Sequence, residues 1–105
     1  MFETINATAL AKELEHNADN VTLLDVRTPG EFQGGHLPNA INLDYNGANF
    51  RTQVERLDKS KHYYVYCRSG MRSYGACNVM ANQGFTKLAN VRGGIMGWRG
   101  EMVRK

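Results

Sequence analysis

The sequence predicts an α/β domain in which a parallel sheet is covered by helices on both faces. Three observations predict it. Compact apolar runs, Val21-Thr22-Leu23-Leu24-Asp25-Val26 and Tyr63-Tyr64-Val65-Tyr66, read as strands buried on both sides. Stretches with apolar residues at helical spacing separate such runs. Strand and helix alternate along the chain, the pattern of βαβ units rather than of hairpins. The 105 residues suffice for a single domain over 1–105, with a core that needs no disulfide or structural metal.

The elements follow in order. Ile5-Asn6 leads into a helix over 7–16, where Leu10 and Leu14 share a face and Asn6 or Thr8 is the cap. Residues 21–26 form a buried strand. Pro29 suits the first turn of a short helix that Gly34-Gly35 ends. A short strand covers 40–43, and Phe50, Val54 and Leu57 mark a helical stripe over 49–57. Residues 63–66, aromatic and β-branched, make the next strand. The polar stretch 67–73 then opens a helix running to about Gln83, with Gly84 as its stop. Residues 87–90 form the last strand, and Gly93-Gly94 starts a terminal helix carrying Ile95 and Trp98.

Charge and composition exclude several function classes. Thirteen Lys and Arg against ten Asp and Glu leave a net charge of +3. The basic residues are scattered, so no nucleic-acid partner is expected, although a local anion site is permitted. No apolar run approaches the roughly 20 residues that span a bilayer, so no membrane partner is expected. The start, Met1-Phe2-Glu3-Thr4-Ile5-Asn6, lacks the regions of a secretory signal, and a cytoplasmic protein is the expectation. Cys67 and Cys77 fit no metal-ligand spacing and are expected as free thiols.

In a parallel sheet, ligands sit where strands run into helices at their carboxyl ends. The junction after Tyr66 reads Cys67-Arg68-Ser69-Gly70-Met71-Arg72-Ser73. The first amides of the following helix have no intrahelical partners, and a curled loop turns them inward as an anion nest. The helix dipole and the charges of Arg68 and Arg72 act in the same sense. All favour the Cys67 thiolate, the nucleophilic form of cysteine. Cys77 lies well inside the helix beside Ala76 and Val79 and reads as packing. Asp25 and Arg27, at the end of a buried strand, read as polar groups that hold loops. Glu31 reads as a scaffold acid paired with a basic group. His36 reads as a structural hydrogen-bonding residue, since a thiolate needs no general base.

Four segments in order carry a family resemblance. Leu24-Asp25-Val26-Arg27-Thr28-Pro29-Gly30-Glu31-Phe32 is similar to D-V-R-x-x-x-E-[FY], and Gly35-His36-Leu37-Pro38-Asn39-Ala40 to G-H-[IL]-x-x-A. Residues 66–73 resemble an active-site loop, and Gly93-Gly94-Ile95-Met96-Gly97-Trp98 is similar to G-G-[IL]-x-x-W. Together they resemble the rhodanese family in its single-domain form. The resemblance implies a central, mostly parallel five-stranded sheet flanked by helices on both faces. It also implies a sulfurtransferase. Cys67 would take the sulfane sulfur of thiosulfate, a polysulfide or a low-molecular-weight persulfide. The resulting persulfide would pass it to a thiol or to cyanide, a two-step cycle with ping-pong kinetics. Arg68, Ser69, Gly70, Met71, Arg72 and Ser73 would bind the substrate, while Asp25, Arg27, Glu31 and His36 would brace the site. No metal or other cofactor is implied. The partners implied are small sulfur donors, thiol acceptors, and thioredoxin-like or other sulfur-accepting proteins.

Two other readings compete. A persulfide carrier delivering sulfur to one protein would use the same cysteine, and differs in that it loads once and stalls. A cysteine phosphatase or arsenate reductase needs C-x5-R, so that an arginine grips the oxyanion with both arms. Here Ser73 holds the sixth place after Cys67, and Arg72 the fifth.

Overall fold

The computed structural model describes residues 2–104. Five strands form one sheet: Glu3–Asn6 (β1), Thr22–Asp25 (β2), Ile41–Asn42 (β3), Tyr63–Tyr66 (β4) and Leu88–Arg92 (β5). Their order is β1-β5-β4-β2-β3, and every pairing is parallel. The helices are Ala7–Asn17 (α1), Pro29–Gln33 (α2), Phe50–Glu55 (α3) and Met71–Asn82 (α4). This is the α/β architecture that the alternation of elements predicts.

Strand alternation sorts the core into two layers. Leu24 and Val26, Tyr63 and Val65, and Leu88 face α3 and α4, where they meet Phe50, Val54, Ala76, Cys77 and Met80. Leu23, Tyr64, Tyr66, Ala89 and Val91 face the other way, against Leu10 of α1, Leu37 and the partly buried Ile95 and Trp98. Cys67 follows β4 on the α4 side. Because β2 and β4 are neighbours, with Asp25 opposite Tyr66, the loops that leave both strands open at one end of the sheet. Segment 25–31 therefore stands beside segment 67–73.

Two expected elements differ. Residues 3–6 pair as an edge strand before α1 begins. Their side chains are exposed apart from half-buried Ile5, so no apolar pattern announces the strand. Asn6 is the helix cap, its Oδ1 accepting from Ala9 N at 2.8 Å. The expected terminal helix is instead one 3₁₀ turn, Gly94–Gly97. Gly93 and Gly94 both take left-handed backbone, φ 82° and 54°, which does not continue into an α-helix. The amides of Ile95 and Met96 are also committed elsewhere, to Cys67 O and Arg68 O.

Candidate active site

The loop between β4 and α4 closes around one sulfur atom. Gly70, at φ 112°, turns the chain so that its own amide points back at Cys67. Gly70 N donates to Cys67 Sγ at 3.0 Å and Ser73 N at 3.4 Å, and the Ser69 amide also favours the anion. The Ser73 hydroxyl lies 3.5 Å from Sγ. Burial alone pushes this thiol up, since Cys67 is only 1% exposed. The Ser73 hydroxyl and the three amides outweigh burial, and Cys67 titrates below the ordinary thiol range. The expected amide cup is thus present, and the sulfur lies at its floor rather than at its lip.

The turn after β5 clamps the cup from behind. Ile95 N donates to Cys67 O at 2.9 Å, and Met96 N to Arg68 O at 3.1 Å. Around the mouth, Arg68 and Ser69 are exposed, and Met71 and Met96 are 82% and 65% exposed.

A second set of residues braces the loop after β2. Arg27 grips Asp25 with two nitrogens, Nη2 to Oδ2 at 2.7 Å and Nε to Oδ1 at 3.0 Å. The same Nη2 donates to Gly35 O at 2.7 Å. The pair is buried, with side chains 7% and 0% exposed, so each charge depends on the other. His36 stacks on Phe32, its ring centroid 3.5 Å away, and its Nδ1 donates to Phe32 O at 2.7 Å. Its backbone bridges to Val103, joining the chain's end to this loop. None of these residues hydrogen-bonds Sγ, whose partners are Gly70 and Ser73.

Glu31 finds the basic partner expected of it in Arg72. Arg72 is expected to bind the substrate, and its fork is taken by Glu31, with Nη1 to Oε1 at 2.8 Å and Nη2 to Oε2 at 3.0 Å. Glu31 also completes a capping box with Thr28 at the start of α2. Arg72 therefore ties α4 to α2, and Arg68 is the loop's free cation, with no ion pair among the described residues. The Arg72 guanidinium, more than the Thr28 contacts, holds the Glu31 carboxyl down from the usual 4.5 to about 2, against the opposing effect of burial. A depressed carboxylate stabilises the fold above its unfolded pKa, and that contribution is lost as pH falls through the folded value. Glu31→Gln is therefore expected to be less stable near pH 7 and to lose less stability between pH 4.5 and about 2. Urea midpoints measured across that range check it; parallel curves for the two proteins would contradict it.

Comparison with known proteins shows the family. The model of the rhodanese-like domain matches residues 6–101. The chain belongs to the rhodanese family. It is 40% identical to a putative sulfurtransferase of Bacillus subtilis, YtwF, over 99% of this chain and 97% of that protein. It is 37% identical to a sulfurtransferase of Allochromatium vinosum, over 93% of this chain and 89% of that protein. Among solved structures, a rhodanese-like domain protein of Staphylococcus aureus superposes with a TM-score of 0.87 at 27% identity, covering 99% of both chains.

In this rhodanese the other cysteine is a core residue. Cys77 is fully buried on α4, and burial pushes its thiol up to about 12. Among the described residues, no cluster of His, Cys, Asp or Glu could hold a metal ion. Gly94 lies against the Cys67 carbonyl, the close backbone approach that the Gly93-Gly94 pair permits. Two contributors escape the sequence reading: Met96, whose amide holds the Arg68 carbonyl, and Asn90 of β5, whose Oδ1 accepts a hydrogen bond from the Ser73 hydroxyl at 2.5 Å. The signal for Asn90 was an amide in an otherwise apolar strand, Leu88-Ala89-Asn90-Val91.

Proposed function

We propose that this rhodanese is a sulfurtransferase, working as a single domain over residues 1–105, that carries a sulfane sulfur on Cys67. The observation that supports it most is the convergence of the Gly70, Ser73 and Ser69 amides on Sγ. The thiolate attacks the outer sulfur of the donor. A new S–S bond forms as the donor's S–S bond breaks, and the donor leaves with the electron pair as sulfite or as a thiolate. The amides then hold the negative persulfide, as an oxyanion hole holds oxygen. An acceptor thiolate, or cyanide, attacks the outer sulfur and returns Cys67 as the thiolate.

The low exposure of Cys67 suits a terminal sulfur atom better than a tetrahedral phosphate. Arg68 draws donors to the mouth, while Glu31 cancels the charge of Arg72. That balance favours persulfides and polysulfides over the thiosulfate dianion. Two free thiols support a reducing compartment, the cytoplasm. The chemistry calls on no metal or organic cofactor.

The exposed methionines favour a second reading, a carrier that delivers sulfur to a thioredoxin-like or other sulfur-accepting protein. Met71 and Met96 present adaptable apolar surface beside the cup. Initial rates with thiosulfate, glutathione persulfide and polysulfide, each with excess small thiol, separate the readings. Sustained turnover, fastest with the persulfide, is expected of the enzyme. One equivalent transferred and then arrest identifies a carrier. No sulfur uptake from any donor sinks both.

A further inference from the structure

We propose that Asn90 is a positioning residue for Cys67: its side-chain amide turns over, from accepting the Ser73 hydroxyl hydrogen to donating to the Ser73 oxygen, as Cys67 changes from thiol to thiolate. This rests on the reading of Cys67 as the nucleophile. Ser73 has one hydroxyl hydrogen and three neighbours that can take it. Asn90 Oδ1 is 2.5 Å away, Gly70 O is 3.2 Å away and Cys67 Sγ is 3.5 Å away. Both residues are buried, Ser73 at 0% and Asn90 at 4% exposure.

The two states need different hydrogens. With the thiol, S–H donates to Ser73 Oγ, and Ser73 donates to Asn90 Oδ1. With the thiolate, sulfur only accepts, and the Ser73 hydrogen must point at it. Oγ would then set a lone pair against the Oδ1 lone pairs across the shortest contact in the group. A half-turn of the amide removes that conflict, because Nδ2 then donates to Oγ. The turn breaks no bond at Nδ2, which makes no hydrogen bond among the described residues. The proton leaves Sγ for solvent, and no other atom changes owner.

The surrounding charges do not perform this role. Arg68 of the loop and Arg92 of β5 are exposed. Arg72 of α4 is paired with Glu31 of α2, and Asp25 is paired with Arg27 beyond β2. None of these side chains hydrogen-bonds Ser73 or Asn90. They set a background field, while the amide chooses the direction of one hydrogen.

Two measurements test the proposal. The first is the pH midpoint of Cys67 alkylation in a double-mutant cycle. Asn90→Asp can only accept from Ser73, so it holds the hydroxyl away from sulfur. It is expected to raise the midpoint by about one pH unit or more when Ser73 is present. In the Ser73→Ala background only the added charge acts, and the rise is expected to be clearly smaller. Equal rises in the two backgrounds mean charge alone and overturn the proposal. The second measurement needs no Asn90 variant. In the ¹⁵N-labelled wild type, the Asn90 side-chain amide resonances are expected to move with the Cys67 midpoint and to stay still in Cys67→Ser. Resonances that ignore the Cys67 titration overturn the proposal. Sulfur loading of the wild type is read separately by intact mass. Loading without coupling defeats the relay alone, and coupling without loading defeats the transferase reading alone.

Discussion

Cys67→Ala is expected to take up no sulfur from a persulfide or polysulfide, while Cys77→Ala takes up one atom as the wild type does. Intact mass after incubation and desalting reads both outcomes. The two thiols share a low exposure and a core cluster, one before α4 and one within it, yet their surroundings differ in kind. Around Cys67 Sγ stand the amides of Gly70 and Ser73 and the Ser73 hydroxyl. Around Cys77 the environment is the apolar cluster of β4 and α4, and nothing offsets the cost of ionising it. At neutral pH Cys77 is therefore a thiol, and a poor nucleophile. Steady-state turnover in Cys67→Ala should fall on the order of a thousandfold or more, because no covalent intermediate forms. Cys77→Ala leaves only a small cavity, so its fold should persist with a loss of about 1–2 kcal/mol. If Cys77→Ala abolishes loading and Cys67→Ala spares it, the wrong sulfur has been assigned.

The parts of this site that a reader of the sequence can see are those made by neighbours in the chain. The run before Cys67 is apolar without a break because β4 is buried on both faces. Gly70 and the serines after it announce a curled loop before a helix, and the amide cup is local geometry of that loop. What the sequence hides is made by residues far apart. Arg72 and Glu31 are 41 positions distant, so Arg72 looks like a free cation until α2 and α4 are placed side by side. Asn90 reaches Ser73 across 17 positions, and in the strand it looks like an ending rather than an active-site group. The edge strand 3–6 is hidden for a different reason. It is held by backbone pairing with β5 while most of its side chains face solvent, so hydrophobic periodicity has nothing to report. The same holds after β5, where apolar residues suggest a helix but backbone conformation decides otherwise.

Gly94→Ala is expected to damage the fold and the cup together, and Gly93→Ala to damage neither much. Both glycines have left-handed backbone, so alanine at either carries a strain of about 1–2 kcal/mol. They differ in what a Cβ would meet. At Gly93 there is open space within 4 Å. At Gly94 the new methyl would overlap the carbonyl oxygen of Cys67 and stand 2.6 Å from that of Arg68. These are backbone atoms of the cup itself, so relief requires the turn and the loop to separate. Separation stretches the bonds from Ile95 N to Cys67 O and from Met96 N to Arg68 O. The Gly70 amide goes with them, because Gly70 packs on the same turn, where its Cβ position lies 3.2 Å from Gly93 N. Gly94→Ala should therefore lose about 3–4 kcal/mol by urea unfolding, against about 1–2 kcal/mol for Gly93→Ala. Its Cys67 alkylation midpoint should move up toward that of free cysteine, ~8.5, as the donors draw away from the sulfur. Turnover should fall about a hundredfold, the scale of a misplacement of roughly 1 Å at a reacting atom. Equal losses in the two variants would mean that only backbone strain matters. The turn after β5 would then be a chain reversal with no hold on the nucleophile.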